Sequence, residues 1–417
     1  MDKQPSCADE YDPSSLDADL ALQRILDRIR PLEGHVRLFL RESLGRVLDQ
    51  DVLSPINVPA YTNSAMDGYA IRSQDLQGND GTSLKVVGKA FAGHPFEGAI
   101  GSGECIRIMT GAPVPSGADS VVMQEHAQVN GDFINVSDVL RAGENVRHAG
   151  EDLSMGQPAL LSGTLLRPAD IGLLASLGIA EVRVKRKVRV AFFSTGDELK
   201  SIGEPLDKGQ IYDSNRYTLF GMLYRLGVEM IDMGIIPDNK AEIRSAYEIA
   251  SKNADAVITS GGVSVGEADF VKMLLEEMGD VHFWKIAMKP GKPLTFGQLQ
   301  GSYFFGLPGN PVSAMVTFYQ FVKPGLLKLM GIPPSPPLTI KVRSSENLKK
   351  RPGRKDYQRG ILFQTAQGEW QVKSTGNQGS HILNSMSLAN CFIVLPLESG
   401  GIKAGEWVDI QPFEGLV

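Results

Sequence analysis

A chain of 417 residues exceeds what one hydrophobic core organises, so about three domains are expected. With 42% hydrophobic and 22% charged residues it has the composition of an ordinary water-soluble protein, and its formal net charge of −6 argues against a nucleic-acid coat or a binder of anionic membranes. Cys7, Cys105 and Cys391 are odd in number and far apart, which argues against a disulfide framework or a thiolate zinc site and for a reducing cytosol. The start, MDKQPSCADEYDPSS, has neither the basic nor the apolar region of a signal peptide, and no apolar run approaches 18 residues. The expectation is a soluble cytoplasmic protein with no nucleic-acid or membrane partner.

Residues 1–15 read as a disordered tail. Leu16, Leu20, Ile25, Leu26 and Ile29 then recur at helical spacing, with Pro31 and Gly34 ending the helix, and a second helix is expected over about Arg41–Leu48. From Ser54 to Asp152, short alternating segments such as SLKVVGKAF, ECIRIM, SVVMQEH and DFINVS form a β-rich unit. Its loops PAYTNSAMDGYAIR, MTGAPVPSGADS and VRHAGEDL are longer than turns require, which points to function. Leu166–Val184 returns to helix, then strand. From Val188 strands and helices alternate: VRVAFFST, helix SNRYTLFGMLYRLG with a Ser214 cap and closing Gly227, VEMIDMGII, and a helix capped by Asp238 or Asn239. DAVITS, HFWKIAM, LTFGQ and YFFGL follow, before a long helix from Asn310 to Met330; the whole reads as a three-layer, mostly parallel α/β domain. GIPPSPP at 331–337 is a linker. LTIKVRS, YQRGILF, EWQVKS, CFIVLPL and EWVDIQPF then form a small barrel or sandwich.

Within Asp255–Pro311, three apolar runs end in the turns SGGVSVGEAD, MKPGKP and GLPGNP, and ligands of parallel sheets bind beyond the carboxyl ends of the strands. Gly261, Gly262 and Gly266 let backbone approach a ligand, and Asp269 suits a magnesium ion held against phosphates. The plain alternative is a tight turn with Asp269 as a first-turn helix acid. The motif is neither a Walker sequence nor G-x-G-x-x-G. Lys285, Lys289 and Lys292 crowd one loop and fit a phosphate or another tetrahedral dianion, although exposed lysines are commonplace. Asp197 and Glu198 follow one strand, Asp238 another and Asp269 a third; each alone is a usual cap or surface acid, and together they suit a divalent cation. In GLPGNPVSA, Asn310 reads as an N-cap with Pro311 at the first helical position. The histidines show no metal-ligand spacing, and nothing points to covalent catalysis. Arg351, Arg354 and Lys355 share a turn that is either solvated or closes a site across the interdomain cleft.

Taken together, NSAMDGYAIR, MTGAPVPSGADSVV, GEDL, FSTGDEL, SGGVSVGEADF, KPGKPLTFG, GLPGNPVSA and RPGRKDYQRG resemble the molybdopterin molybdenumtransferase family, the bacterial MoeA-type enzymes similar to the C-terminal domain of gephyrin. The motifs run in the family's order from about residue 20 to the end. The resemblance implies a multidomain α/β and β fold: an extended N-terminal region (16–53 and 153–187), an inserted β-rich domain (54–152), the α/β molybdopterin-binding domain (188–332) and a C-terminal β-barrel (338–417). It also implies a homodimer in which the inserted unit of one subunit faces the α/β cleft of the other. Contacts with the adenylyltransferase that supplies the substrate and with molybdoenzyme-maturation proteins belong to the same picture.

The implied reaction is a transfer of molybdenum from molybdate to adenylylated molybdopterin, with Mg2+-dependent cleavage of the anhydride and release of AMP. By motif position, Asp67 and Thr110 reach the partner's cleft, and Glu198, Asp238 and Asp269 hold magnesium. Lys285 and Lys289 contact phosphate, as do Gly261, Gly262, Ser264 and Gly266 in the glycine turn. Lys289, Lys292, Pro293, Arg354 and Ser380 form the molybdate pocket, with Arg351 the alternative to Arg354 and Asp152 a weaker member of the site. Two other functions stand beside this one. A molybdopterin adenylyltransferase would share the α/β core but has no need of the extra β-rich domains. A non-catalytic peptide-binding scaffold is disfavoured by the intact acidic and lysine motifs.

Overall fold

The computed structural model describes residues 15–76, 81–137, 139–261 and 269–413. The expected disordered tail lies outside them except for Ser15. The chain packs as two units, one made of Arg37–Leu44 and Leu48–Arg183, the other of the segments before, between and after these.

The first unit is built on a six-stranded sheet in the spatial order Ser120–Met123, Gly68–Ile71, Glu104–Ile108, Thr82–Ala90, Phe133–Val136 and Ala127–Asn130. Alternation sends Ile71, Cys105 and Val122 to one core and Ala70, Ile106 and Val121 to another, so both faces are covered. Gly68 is the one residue that fits its place in this sheet, since a Cβ there would sit 1.8 Å from the Val122 carbonyl oxygen. The helix expected over Arg41–Leu48 is not formed. A 3-10 turn spans Leu40–Ser43, and Gly45, at φ +72°, takes the left-handed conformation that terminates helical turns.

In the second unit six strands lie in the order Glu229–Ile236, Arg189–Thr195, Ala256–Ser260, Ser302–Leu307, Pro293–Leu299 and Gly279–Lys285. The first four are parallel, Pro293–Leu299 runs antiparallel to both its neighbours, and Gly279–Lys285 therefore points the same way as the first four. One face, with Val190, Phe192, Ile258 and Phe305, packs on Ile25 and on Leu219 and Leu223 of the Ser214–Leu226 helix. The other, with Ala191, Phe193, Val257 and Phe304, packs on Ile243 and Tyr247 of the Lys240–Asn253 helix and on Leu274 and Leu275. This is the three-layer α/β arrangement expected from the strand–helix alternation.

Helix ends show where local reading misses. The first helix is Ala18–Arg28, capped by the Asp17 side chain, and it buries Ala18, Ala21 and Ile25 while Leu20 faces solvent. The Ser214–Leu226 helix is capped by Asp213, not Ser214, because the Asp213 carboxylate accepts from the Arg216 N–H; Gly227 closes it as expected. Asn239, rather than Asp238, caps the next helix. The segment expected as one helix from Asn310 to Met330 is Pro311–Thr317, a π-turn over Phe318–Val322, and Lys323–Leu329. Pro324 lacks an N–H and its ring crowds the carbonyl four residues back, so the widened turn falls just before it.

Beyond the linker, Ile340–Ser344, Lys355–Gln364, Trp370–Ser374, Cys391–Leu395 and Trp407–Pro412 close into a five-stranded barrel, because Lys355–Gln364 pairs with both Trp370–Ser374 and Cys391–Leu395. Tyr357, Phe392 and Val394 leave the barrel's own core and join Phe318 and Phe321 in the core of the α/β domain. Among the described residues no helix is long and apolar enough to cross a membrane.

Candidate active site

The carboxyl ends of the parallel strands lie side by side: Thr195 pairs with Ile236, Ser194 with Ser260, and Ser260 with Leu307. The antiparallel pair adds Pro293 and Lys285, matched to one another, at the same edge. Five spacings of ~4.8 Å make this edge about 24 Å long. Its residues follow a definite order: Asp238, then Asp197 and Glu198, then Gly261, then Pro308–Pro311, then Lys292 and Pro293, and finally Lys285. Acids occupy one end, lysines the other, and glycine turns the middle.

At the acidic end the Asp238 N–H donates to Asp197 Oδ1 at 3.0 Å, joining two neighbouring strand ends. Glu198 is exposed, and its carboxylate folds over Gly196. These are hard oxygen donors of the kind magnesium takes, usually one or two carboxylates completed by substrate phosphates. Among the described residues, no three His, Cys, Asp or Glu side chains converge enough to hold a metal ion by themselves. Asp269 is the first residue of the Asp269–Met278 helix, whereas Gly262, Ser264 and Gly266 lie outside the described residues. Gly261 has φ +92°, and a Cβ on it would stand 2.5 Å from the Thr195 carbonyl oxygen, so the turn after the third strand is built on this glycine.

Sequence reasoning missed the buried segment beneath these turns. Asn215 donates through Nδ2 to Ser260 Oγ and to the Gly309 carbonyl oxygen, both at 2.7 Å, tying the ends of the third and fourth parallel strands together. Asp213, 2% exposed, accepts from Ser194 Oγ at 2.9 Å and so reaches the end of the Arg189–Thr195 strand. Burial pushes its carboxyl pKa upward, against the pull of those donors. Asp213 Oδ2 and Asn215 Oδ1 are buried and have no hydrogen-bond partner among the described residues. The only sequence signal was an Asp-Ser-Asn run at a helix start, of which capping explains a single residue.

The lysine loop is held from three sides. Lys285 and Pro293 close it as a hairpin, Leu16 exchanges backbone hydrogen bonds with Lys285 and Ala287, and Met288–Lys289 pairs with Lys355–Asp356 of the barrel. Lys289 therefore lines a cavity of about 480 Å³ with Arg351, Arg354, Lys349 and the buried Asp356, away from the acidic end. Burial raises the Asp356 pKa, while the Gln358 hydrogen bond and the charges of Lys289, Lys350 and Arg359 oppose that shift. Ser380 approaches from the barrel side: its carbonyl accepts from the Val312 N–H at 3.1 Å, while Asn310, expected to cap that helix, makes no side-chain cap bond.

Arg359, also unforeseen, pins the Ser380 loop. It is 1% exposed and donates to Ser385 Oγ and to the Gly379 carbonyl, both at 3.0 Å. Burial lowers its pKa to about 10 in spite of Asp356. Its signal, an inward-facing arginine in an otherwise sheet-like run, is visible only once the barrel's inside is known.

In the other unit Asp67 and Thr110 meet: the Thr110 N–H and hydroxyl both donate to Asp67 Oδ1 at 2.7 Å. Those two bonds, with the Arg107 charge behind them, hold the Asp67 carboxyl below its usual range. Asp152, in the same unit, is exposed.

The α/β sheet thus carries acids and lysines at opposite ends of its carboxyl edge, with the barrel pairing beside Lys289. Residues 16–178 match the family described as MoeA N-terminal region (domain I and II), residues 191–328 the probable molybdopterin binding domain, and residues 341–413 the MoeA C-terminal region (domain IV). A molybdopterin molybdenumtransferase of Haemophilus influenzae is 48% identical over 96% of this chain and 100% of its own length. Gephyrin of Dictyostelium discoideum is 34% identical over 94% of this chain and 61% of its own. The crystal structure of the molybdopterin biosynthesis moeA protein from Pyrococcus horikoshii OT3 superposes with a TM-score of 0.83 at 30% identity, covering 96% of this chain and 100% of the other. The chain belongs to the MoeA family of molybdopterin molybdenumtransferases.

Proposed function

We propose that this chain inserts molybdenum from molybdate into molybdopterin during molybdenum cofactor biosynthesis, taking the adenylylated form as substrate and releasing AMP. The observation that carries this reading is the order of groups along the sheet edge, acids first and lysines last with glycine turns between. Phosphates belong at the acidic half, where Glu198, Asp238 and Asp269 would hold Mg2+; when bound, that ion neutralises charge on the anhydride and its leaving group. Gly261, Gly262, Ser264 and Gly266 supply backbone and hydroxyl groups to the phosphates, and Lys285 and Lys289 add positive charge. Lys289, Lys292, Pro293, Arg354 and Ser380 take molybdate, a tetrahedral dianion matched by clustered cations. Asp67 and Thr110 serve the same cleft from the second subunit of a homodimer, with Thr110 keeping the Asp67 carboxylate ionised and oriented. The four-part division at 16–53 with 153–187, 54–152, 188–332 and 338–417, a cytoplasmic location, and contacts with the adenylyltransferase and maturation proteins complete the reading.

The test is release of AMP by the full chain from adenylylated molybdopterin with magnesium and molybdate. Asp269→Asn should leave circular dichroism and thermal unfolding unchanged and abolish that release. Turnover at the wild-type rate in this variant would sink the carboxylate assignment.

A further inference from the structure

The cavity at the barrel rim is larger than a four-oxygen anion needs and lies within the range of about 300–1,000 Å³ that small-molecule sites occupy. Its walls are strongly cationic. Lys289, Lys349, Arg351 and Arg354 line it, and among the described residues none of the four forms an ion pair within salt-bridge distance. Lys350 is different, because its ammonium is spent on the carbonyls of Arg351, Leu397 and Ser399. Asp356, the one carboxylate on the wall, is 7% exposed and stands against four cations, so the wall keeps a surplus of positive charge.

Two amides add directional groups. Asn347 accepts from the Ala404 N–H through Oδ1, which leaves its NH2 group as a donor. Gln358 donates its NH2 to the Lys349 carbonyl and to Asp356, which leaves Oε1 as an acceptor. The wall thus offers a donor, an acceptor and four cations around one volume. An ionised phosphate would use the cations and the Asn347 donor but has no proton for the Gln358 Oε1 acceptor. A pterin carries an amide-like edge with both donors and acceptors, and its dithiolene carries negative sulfurs.

We propose that this cavity holds the pterin–dithiolene end of the substrate, with Asn347 and Gln358 on the pterin edge and Lys289 and Arg354 facing the sulfurs. The inference rests on the molybdenum-transfer reading and deepens it: the metal joins the dithiolene, so the ring system must lie beside the oxyanion contacts, and Lys289 and Arg354 line this cavity too. Lys349 and Arg351 then belong to the substrate and not to molybdate.

Lys349 and Arg351 are exposed, so the double variant Lys349→Ala/Arg351→Ala should fold. Titration of the full-length protein under anaerobic conditions, followed by pterin fluorescence, should show affinity for adenylylated molybdopterin falling roughly tenfold or more, the cost of charge-assisted contacts. Affinity for AMP alone and the molybdate dependence of turnover should stay within about twofold of wild type. In Asn347→Ala the loss should be smaller and confined to ligands that contain the pterin. Unchanged affinity for adenylylated molybdopterin would overturn the assignment. So would an equal loss for AMP, which would make this the nucleotide site, or a change in molybdate dependence alone, which would make it an oxyanion site only. Wild-type release of AMP alongside any of these results leaves the broader reading standing; a wild type that neither binds the substrate nor releases AMP defeats both.

Discussion

Replacing Asn215 with alanine tests whether the buried tether beneath the strand ends serves catalysis or only the fold. Asn215→Ala removes two 2.7 Å hydrogen bonds, to Ser260 Oγ and the Gly309 carbonyl. At ~1 kcal/mol each they cost about 2 kcal/mol, and the Gly309 carbonyl, left unsatisfied, costs ~1–3 kcal/mol more. Against this, the variant also deletes Asn215 Oδ1, a buried acceptor with no partner among the described residues, and recovers an amount of the same order. The net is a loss of about 2 kcal/mol, visible in calorimetry as a fall of several degrees in the transition of the α/β domain. The kinetic effect should be larger. Both bonded groups sit at the starts of turns along the proposed phosphate-binding edge, and a displacement of ~1 Å at such a site costs on the order of a hundredfold in rate. Ser260→Ala, which removes one bond and keeps the Gly309 contact, should cost less in both measurements. A lowered melting transition with wild-type kcat and KM for AMP release would refute the tether as a positioning device and leave it a purely structural feature.

Two further outcomes follow from the titrating groups. Thr110→Val keeps the backbone N–H bond to Asp67 but removes the hydroxyl bond, so the Asp67 carboxyl should rise toward the ordinary carboxylate range when followed by NMR; an unmoved titration would mean that the hydroxyl contributes nothing. Asp356 has a raised folded-state pKa, chiefly from burial, so the folded protein binds more protons than the unfolded one and stability falls as pH rises from the ordinary carboxylate range through the raised value. Asp356→Asn should flatten that part of the plot of melting temperature against pH, and parallel curves for the two proteins would contradict the burial argument.

The strands of the α/β domain and barrel were legible because each is a short apolar run bounded by turn residues, and the strand–helix alternation determined which were parallel. The acids and glycines after those strands were legible for the same reason, since a parallel sheet brings its carboxyl ends together whatever lies between. Lys289 was not. It looks like its neighbours Lys285 and Lys292, yet it leaves the sheet edge for the barrel because Met288–Lys289 pairs with residues in a different domain, and no local pattern encodes such a pairing. Asp213, Asn215 and Arg359 were hidden for a related reason. Their side chains matter through partners distant in sequence, and in the chain itself they read as a cap or as ordinary polar residues. The short helix expected after Arg41 failed on one glycine, whose left-handed conformation outweighed a favourable run of helix formers.

The way the lysine loop is fastened also bears on the order in which the molecule is made. Its tip rests on Leu16 at one side and on Lys355–Asp356 at the other, segments more than 300 residues apart in sequence. The acidic half of the edge needs only strands and turns from the middle of the chain, contacts of short sequence separation that form early. During synthesis the acidic half of the edge can therefore take shape while the Lys289 end still waits for the barrel. Lys289 therefore takes its place beside Arg354 only after the barrel has folded, so the proposed oxyanion pocket is among the later parts of this edge to form.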